Sequence, residues 1–484
     1  MKALYLTTTL PYVNADPHIG FALELVQADV YARYRKLMGD EVFFNTGTDE
    51  HGLKIYRKAQ EEGKDTQSYV DEYAARFQSL KDKLNLFPEI HFVRTTNPHH
   101  KAAAQELWRR CLAKGDIYKK KYKGLYCVGD EAFIKETELV DGKCPNHPTM
   151  DVIEIEEENY FFRLSTFQER LVRYLSREDV IIPSWRRDEA IAFVQGGLED
   201  FSISREKSRM GWGVPVPDDD SQVMYVWFDA LTNYISTLGW PSSAKATEGK
   251  PEDLFEKFWV NGETIQMAGK DQVRFQSIMW QAMLMSAGLA TTSRVFYHGF
   301  ITSGGKKMSK SVGNVIDPLA IVEEYGVDPL RYFLVRHIHS FEDSDFTMEK
   351  FKEAYNAGLA NGLGNAIARI ITLAEAHLET PIVRPQPIGF HNEYTDALDS
   401  FDFNAAADFI WDRIQKLDQK ITELEPFKVV KVDLARGRVI IMELATELYF
   451  IARMLNPIMP GTALAIKTAI LANKKPTNLF PRRE

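Results

Sequence analysis

"TLPYVNADPHIGF", residues 9–21, joins an apolar run with β-branched residues, Ala3 to Leu10, to a segment with helical spacing, residues 21–39. In that second segment apolar residues recur every three or four positions, and Gly39 ends the pattern. "EVFFNTGT", residues 41–48, is then typical of a second strand. Strand, helix and strand in this order predict a parallel α/β sheet, whose ligands bind beyond the carboxyl ends of the strands.

The composition limits the class of protein. A chain of 484 residues is long enough for two to four domains, and its net charge of −9 argues against a general nucleic-acid binder. The basic run "KKKYK" at 119–123 is typical of a solvated face. Three cysteines do not suggest a disulfide framework. Since neither a membrane-length apolar run nor a signal-peptide pattern is present, we expect a cytoplasmic protein.

The α/β pattern is interrupted once and is followed by helices. Residues 1–115 alternate strands and helices, residues 116–225 carry short strands with a cysteine and histidine cluster, and the α/β pattern returns in residues 226–290. Residues 291–345 form a linking region, and residues 346–484 are almost entirely helical in pattern. We therefore predict a Rossmann-like parallel-sheet domain that is split by an inserted connective domain and followed by an α-helical bundle.

Two short stretches carry chemistry. "PHIGF", residues 17–21, places His18 and Gly20 at a strand-to-helix turn, where a helix N-terminus favours an anion. "GGKKMSKSVGNVIDP", residues 304–318, places Lys307 and Lys310 in a loop that two glycines open, which suits a mobile clamp on a polyphosphate. Each stretch alone is compatible with an ordinary turn or a solvated loop. Their occurrence in this order favours a nucleotide site.

Together these stretches resemble the HIGH and KMSKS signatures of class I aminoacyl-tRNA synthetases. The whole chain resembles the methionyl-tRNA synthetase family, a resemblance that also rests on "FFNTGTDEHG", "FVQGGLEDFSISR", "WGVPVP", "YVWFDALTNY" and "AGKDQVRF". The inserted segment, residues 116–225, is too short for the large editing domain of the leucyl, isoleucyl and valyl enzymes. The resemblance implies a Rossmann-like catalytic domain and an anticodon-binding helical bundle.

The implied reaction is the activation of methionine by ATP with Mg2+, release of pyrophosphate, and transfer of the methionyl group to tRNA(Met). Two alternatives are a synthetase-like protein that binds RNA or ATP without aminoacylation, and a class I synthetase for another amino acid. We expect a monomer, because the chain ends soon after the helical segment.

The resemblance also implies site residues. The methionine site would consist of Leu10, Tyr12, Asp49, Trp227, Ala230 and Tyr234. The residue types fit independently, because a carboxylate pairs with an ammonium group and aromatic rings pack well against a thioether. ATP would be bound by His18, Gly20, Gly269, Lys270, Asp271, Lys307 and Lys310, of which the histidine and the KMSKS lysines serve catalysis. Anticodon reading would fall to Asn365, Arg369 and Phe427.

Four positions near these sites depart from the family pattern. Phe21 stands where the HIGH motif ends in histidine, so one polar group is missing there. Gln276 stands where the family often has a histidine at the methionine pocket, and Gln272 stands where an aliphatic residue is common. Phe427 replaces a tryptophan, and it keeps an aromatic face for stacking on a base.

The inserted segment has the spacing of a metal knuckle. "CVGDEAFIKETELVDGKCPNHP" contains Cys127, Asp130, Cys144 and His147 as two pairs, each separated by two residues. Many relatives have cysteine where Asp130 stands, and the family pattern is a tetrahedral zinc site. Zinc accepts a carboxylate oxygen, so four ligands are chemically possible. The alternative is a site that has lost its metal and is held together by packing.

Overall fold

The computed structural model describes residues 2–128, 132–145, 147–148, 150–241, 253–308, 314–379, 382–386 and 389–483. The chain forms two compact units. Unit 1 comprises residues 1–17, 39–81 and 89–297, and unit 2 comprises residues 18–38, 82–88 and 298–484.

The strands, in chain order, are β1 Ala3–Thr7, β2 Glu41–Thr48, β3 His91–Arg94, β4 Ile117–Cys127, β5 Ala132–Ile134, β6 Val152–Phe162, β7 Ile181–Ile182, β8 Phe201–Ser202, β9 Ser204–Glu206, β10 Pro215–Val216, β11 Asp219–Met224, β12 Glu263–Gly269, β13 Arg294–His298, β14 Ile301–Ser303, β15 Lys306–Lys307 and β16 Ser344–Phe346. The α-helices are α1 Ile19–Leu37, α2 Leu53–Glu61, α3 Thr66–Gln78, α4 Leu80–Lys83, α5 Pro98–Ala113, α6 Gln168–Leu175, α7 Ser184–Gln195, α8 Val226–Leu231, α9 Asn233–Ser236, α10 Trp280–Ala287, α11 Pro318–Tyr325, α12 Val327–Arg336, α13 Met348–Ala354, α14 Asn365–His377, α15 Asn392–Asp399, α16 Phe403–Leu424, α17 Pro426–Val432, α18 Leu434–Leu455 and α19 Pro460–Ala472.

Unit 1 is built on a six-stranded sheet with the order β3-β2-β1-β12-β13-β7. β1 pairs in parallel with β2 and β12, β2 pairs in parallel with β3, and β13 pairs in parallel with β7. Seven of the eight residues of β2 are buried, as expected for a strand of a covered parallel sheet. The carboxyl ends of β1, β2 and β12 therefore lie along one edge, and residues 8–17, 49–52 and 270–272 follow them there.

The segment between the two parts of this sheet is antiparallel. β4 pairs along its whole length with β6, and these strands form a four-stranded sheet with β5 and β8. The basic run "KKKYK" lies on β4 opposite the acidic run of β6. Lys119 forms ion pairs with Asp219 at 2.9 Å and Glu158 at 3.7 Å, and Lys123 pairs with Glu154 at 3.1 Å. The basic run is thus partly neutralised within the fold.

Unit 2 is mainly helical. It contains α1 and the helices α11 to α19, and it also holds a small sheet with the order β15-β14-β16. The buried residues of α16 recur every three or four positions, for example Ala406, Ile410, Ile414 and Leu417, and they give this helix its apolar face. The Asp402 side chain caps the start of α16 by accepting the backbone N–H of Ala405 at 3.0 Å.

The predicted fold class is confirmed: a parallel-sheet α/β part with an antiparallel insertion precedes a helical part. The predicted second strand agrees with β2, and the first helix begins at Ile19 rather than at Phe21. The five-part domain division stays a prediction. Within the described residues, no helix combines the length and apolarity that crossing a membrane requires.

Candidate active site

The turn after β2 holds Asp49 against the loop after β1. Asp49 is buried, its backbone N–H donates to Pro11 O at 3.0 Å, and its carbonyl accepts the N–H of Val13 at 3.2 Å. These bonds form a parallel bridge between Tyr12 and Asp49. Leu10 and Tyr12 are half-buried in the same loop. Backbone pairing thus brings together three of the residues predicted to bind methionine.

The other predicted methionine residues lie on α8 and α9. Trp227 and Ala230 are on α8, and Tyr234 is on α9. The two helices are short and meet at Thr232. Its hydroxyl donates to Phe228 O at 3.0 Å, and such back-bonding weakens a continuous helix. Ala230 and Tyr234 are buried, whereas Trp227 is only half-buried.

Two residues of the segment Val273–Met279 complete this region. The Phe275 ring stacks on Trp227 with centroids 3.7 Å apart and an interplanar angle of 14°. The buried Gln276 donates from Nε2 to the Tyr234 hydroxyl at 2.6 Å. The segment winds as a π-helix, a geometry that is frequent at functional sites. Sequence reasoning missed Phe275, although an aromatic residue beside Gln276 was a usable signal.

The residues predicted to contact adenosine follow the carboxyl end of β12. Gly269 is the last residue of that strand, and Lys270, Asp271 and Gln272 form a single 3₁₀ turn. Gln272 is half-buried and donates from Nε2 to Asp271 Oδ2 at 3.0 Å. The turn therefore lies at the sheet edge where α/β proteins bind ligands.

In unit 2, His18 caps the HIGH helix α1. Its Nδ1 accepts the backbone N–H of Gly20 at 3.1 Å, so the neutral ring carries its proton on Nε2 and keeps an N–H donor for an anion. Partial desolvation of this accessible side chain lowers the pKa of His18, which favours the neutral ring. A Cβ at Gly20 would lie 2.9 Å from His18 Cε1, so glycine is required for the cap. Phe21 is half-buried.

The start of the KMSKS loop is a short hairpin of unit 2. β14 and β15 pair antiparallel, with Lys307 opposite Thr302, and both glycines of the turn have positive φ angles. Asp345 holds the turn by accepting the N–H of Gly305 at 2.8 Å. Lys310 lies outside the described residues. After the loop, Ile316 O accepts the N–H of Ile19 at 3.1 Å, so the chain beyond KMSKS is bonded to the first turn of α1.

The predicted anticodon residues lie on two helices of unit 2 that contact each other, α14 and α17. Asn365 is the exposed first residue of α14, and Phe427 on α17 is 40% exposed. Arg369 is half-buried one turn after Asn365, and its Nη1 donates to Asp418 at 2.5 Å. Asn365 and the Phe427 ring are therefore accessible, whereas Arg369 is held by Asp418.

The cysteine and histidine cluster is brought together in unit 1. The ligand atoms of Cys127, Cys144 and His147 all lie within 4.8 Å of one another, and Cys127 Sγ is 3.8 Å from His147 Nδ1. The ligands of a tetrahedral zinc with bonds of 2.0–2.3 Å are about 3.3–3.8 Å apart. The distance between Cys127 and His147 is therefore that of two zinc ligands, and Cys144 lies within 4.8 Å of both. Asp130 lies outside the described residues.

These features are typical of a nucleotide-binding α/β enzyme with a helical second part. Comparison with known proteins identifies the family. The model of the tRNA synthetases class I (M) family matches residues 4–154 and 149–371. Methionine--tRNA ligase of Thermotoga maritima is 38% identical over 98% of this chain and 76% of its own length. The corresponding enzyme of Mesorhizobium japonicum is 38% identical over 95% of this chain and 89% of its own length.

A solved structure of Mycobacterium tuberculosis methionyl-tRNA synthetase, in complex with methionyl-adenylate, agrees over the whole chain. The TM-score is 0.89 at 36% identity, and all of both chains is covered. The chain belongs to the class I (M) family of tRNA synthetases, as the motif resemblance predicts.

Proposed function

We propose that this protein is a methionine--tRNA ligase that activates methionine with ATP and transfers the methionyl group to tRNA. The observation that carries the proposal is the stacked Trp227 and Phe275 pair beside the Ala230 and Tyr234 wall, because it offers an aromatic surface to a thioether. Relatives named as methionine--tRNA ligases favour the enzyme over a synthetase-like protein without aminoacylation.

In the first half-reaction, a methionine carboxylate oxygen attacks the α-phosphorus of ATP. The new O–P bond forms as the bond to the bridging oxygen of the β-phosphate breaks, and pyrophosphate leaves. Asp49 would hold the ammonium group of methionine, and the Nε2–H of His18 would donate to a phosphate oxygen. No protein nucleophile is needed, because positioning and charge stabilisation suffice.

We assign further ATP contacts to Gly20, Gly269, Lys270 and Asp271. The KMSKS lysines, Lys307 and Lys310, would stabilise the negative charge of the leaving pyrophosphate. Mg2+ bound with ATP would neutralise part of the triphosphate charge.

In the second half-reaction, a terminal ribose hydroxyl of the tRNA attacks the carbonyl carbon of methionyl-adenylate. An ester bond forms between the ribose oxygen and the carbonyl carbon as the bond between that carbon and the phosphate oxygen breaks. AMP leaves with this oxygen and its electron pair, and the proton of the attacking hydroxyl passes to the departing phosphate or to water. We assign anticodon recognition to Asn365, Arg369 and Phe427, since an amide, a guanidinium and a ring can read and stack on unpaired bases. We further propose that the protein acts as a monomer in the cytoplasm.

The test is pyrophosphate exchange. Purified protein with ATP and Mg2+ should incorporate labelled pyrophosphate into ATP only when methionine is present. Equal exchange with leucine or isoleucine would contradict the assignment.

We further propose that Cys127, Cys144 and His147 hold one structural zinc, with Asp130 as the fourth ligand. The bound metal would stabilise the fold of the inserted segment without taking part in the reaction. Metal analysis of protein purified without chelator should find about one zinc per chain, and none in Cys144→Ser. Cys111→Ser is the matched control, because this third buried cysteine is outside the cluster. Metal-free, fully active wild-type protein would favour the lost-metal alternative.

A further inference from the structure

A buried carboxylate lies between two histidines next to the proposed methionine site. Asp229 has no exposed surface, and each of its oxygens has its own imidazole partner. Oδ2 is 2.6 Å from His51 Nδ1, and Oδ1 is 2.8 Å from His100 Nε2. Both histidines are 1% exposed. We call these three residues the Asp229 joint.

The Asp229 joint connects the two sides of the proposed methionine site. His51 lies two residues after Asp49, in the turn that follows β2. Asp229 lies on α8 between Trp227 and Ala230. A shift of Asp229 relative to His51 would therefore change the distance between the carboxylate for the ammonium group and the aromatic wall for the side chain.

His100 connects the joint to a third element. It lies on α5, and its Nδ1 is 2.9 Å from the hydroxyl of Ser236 on α9. Since α9 also carries Tyr234, His100 braces both short helices of the aromatic wall against α5.

The turn that carries Asp49 is also held by residues outside the Asp229 joint. Trp212 Nε1 donates to Glu50 O at 2.6 Å, and Trp212 O accepts the N–H of Gly52 at 3.2 Å. The Glu50 carboxylate receives two N–H groups of Arg94, at 2.7 and 2.9 Å. Since Trp212 and Arg94 hold the turn in place, the bond between His51 and Asp229 determines where α8 lies relative to the turn.

The electrostatics identify the donors. Burial alone would raise the pKa of Asp229, but electrostatic attraction to His51 and His100 and the hydrogen bonds to them hold it well below its usual range. The carboxylate is therefore ionised and accepts two N–H groups, from His51 Nδ1 and from His100 Nε2.

We propose that Asp229, His51 and His100 are positioning residues that set the spacing between Asp49 and the Trp227 wall, and that they thereby determine the affinity for methionine. This inference rests on the proposed function. It concerns substrate binding rather than the chemical step, so the KM for methionine should change while the KM for ATP does not.

Matched substitutions test the two bonds separately. In asparagine the amide nitrogen takes the place of an imidazole Nδ1, and in glutamine it takes the place of Nε2. His51→Asn and His100→Gln therefore keep a donor to Asp229, whereas His51→Gln and His100→Asn lose it. We expect the two donor-losing variants to raise the KM for methionine in pyrophosphate exchange by about tenfold or more, because a hydrogen bond to a charged group is worth about that factor.

We expect the donor-keeping variants to stay within about threefold of the wild type, and the KM for ATP to be unchanged in all four. An equal increase of the KM for methionine in all four variants, or a parallel increase in the KM for ATP, would contradict the positioning role of the Asp229 joint. Either result would indicate a general loss of packing. Thermal unfolding of each variant shows whether it is folded. Wild-type protein without methionine-dependent exchange would instead overturn the proposed function.

Discussion

Replacement of Phe275 by leucine should weaken methionine binding, because it removes the ring that stacks on Trp227. Phe275 stacks on Trp227 at 3.7 Å between centroids, so its ring fixes the orientation of the half-buried indole. An aromatic pair of this kind is worth about 0.5–1.5 kcal/mol beyond its buried area. If methionine binds to the oriented indole, loss of this energy corresponds to a KM increase of about two- to twelvefold.

The assay is pyrophosphate exchange with methionine and ATP varied separately. Phe275→Tyr is the matched control, since it keeps the ring and should leave the KM for methionine close to the wild-type value. The KM for ATP should be unaffected in both variants. An unchanged KM for methionine in Phe275→Leu, or an equal increase in Phe275→Tyr, would refute the role of the stack.

Three other perturbations have defined outcomes. Asp49→Asn should raise the KM for methionine about tenfold or more, because a hydrogen bond to a charged group contributes about 1.5–3 kcal/mol; an unchanged KM in exchange assays would exclude Asp49 as the ammonium ligand. Arg369→Ala should impair tRNA charging while pyrophosphate exchange stays near wild type, and Asp418→Asn, which removes the charge that Arg369 pairs with, should not lower exchange either; a parallel loss of both activities would indicate misfolding. His18 should titrate below its ordinary value of about 6.5 in NMR spectra. Since the unfolded chain then binds the proton first, the cap on Gly20 is fully stabilising above about pH 6.5 and is lost as the pH falls through the folded value; a pKa above 6.5 would contradict the cap.

The residue types at the candidate site could be named from the sequence, because they belong to short motifs whose spacing is local. Asp49 follows a strand whose bounds agree with the predicted ones, and Asn365 and Arg369 lie one turn apart on a helix of the segment that the sequence predicts to be helical. The first residues of the helices were harder to predict from the sequence. The first helix begins two residues before its predicted start, because the His18 side chain caps it, and imidazole is not among the usual capping groups.

The strand and helix pattern, the helical last third and the motif residues were determined by the sequence itself, since apolar periodicity and turn residues act over a few positions. The tertiary structure alone decided which distant side chains meet. Asp229 and His51 are 178 residues apart in the chain, and the basic run of β4 becomes a set of ion pairs only because β6 lies beside it. The physical reason is that such contacts depend on how the elements pack and on the charges that each buried group then faces, and local spacing carries no information about either.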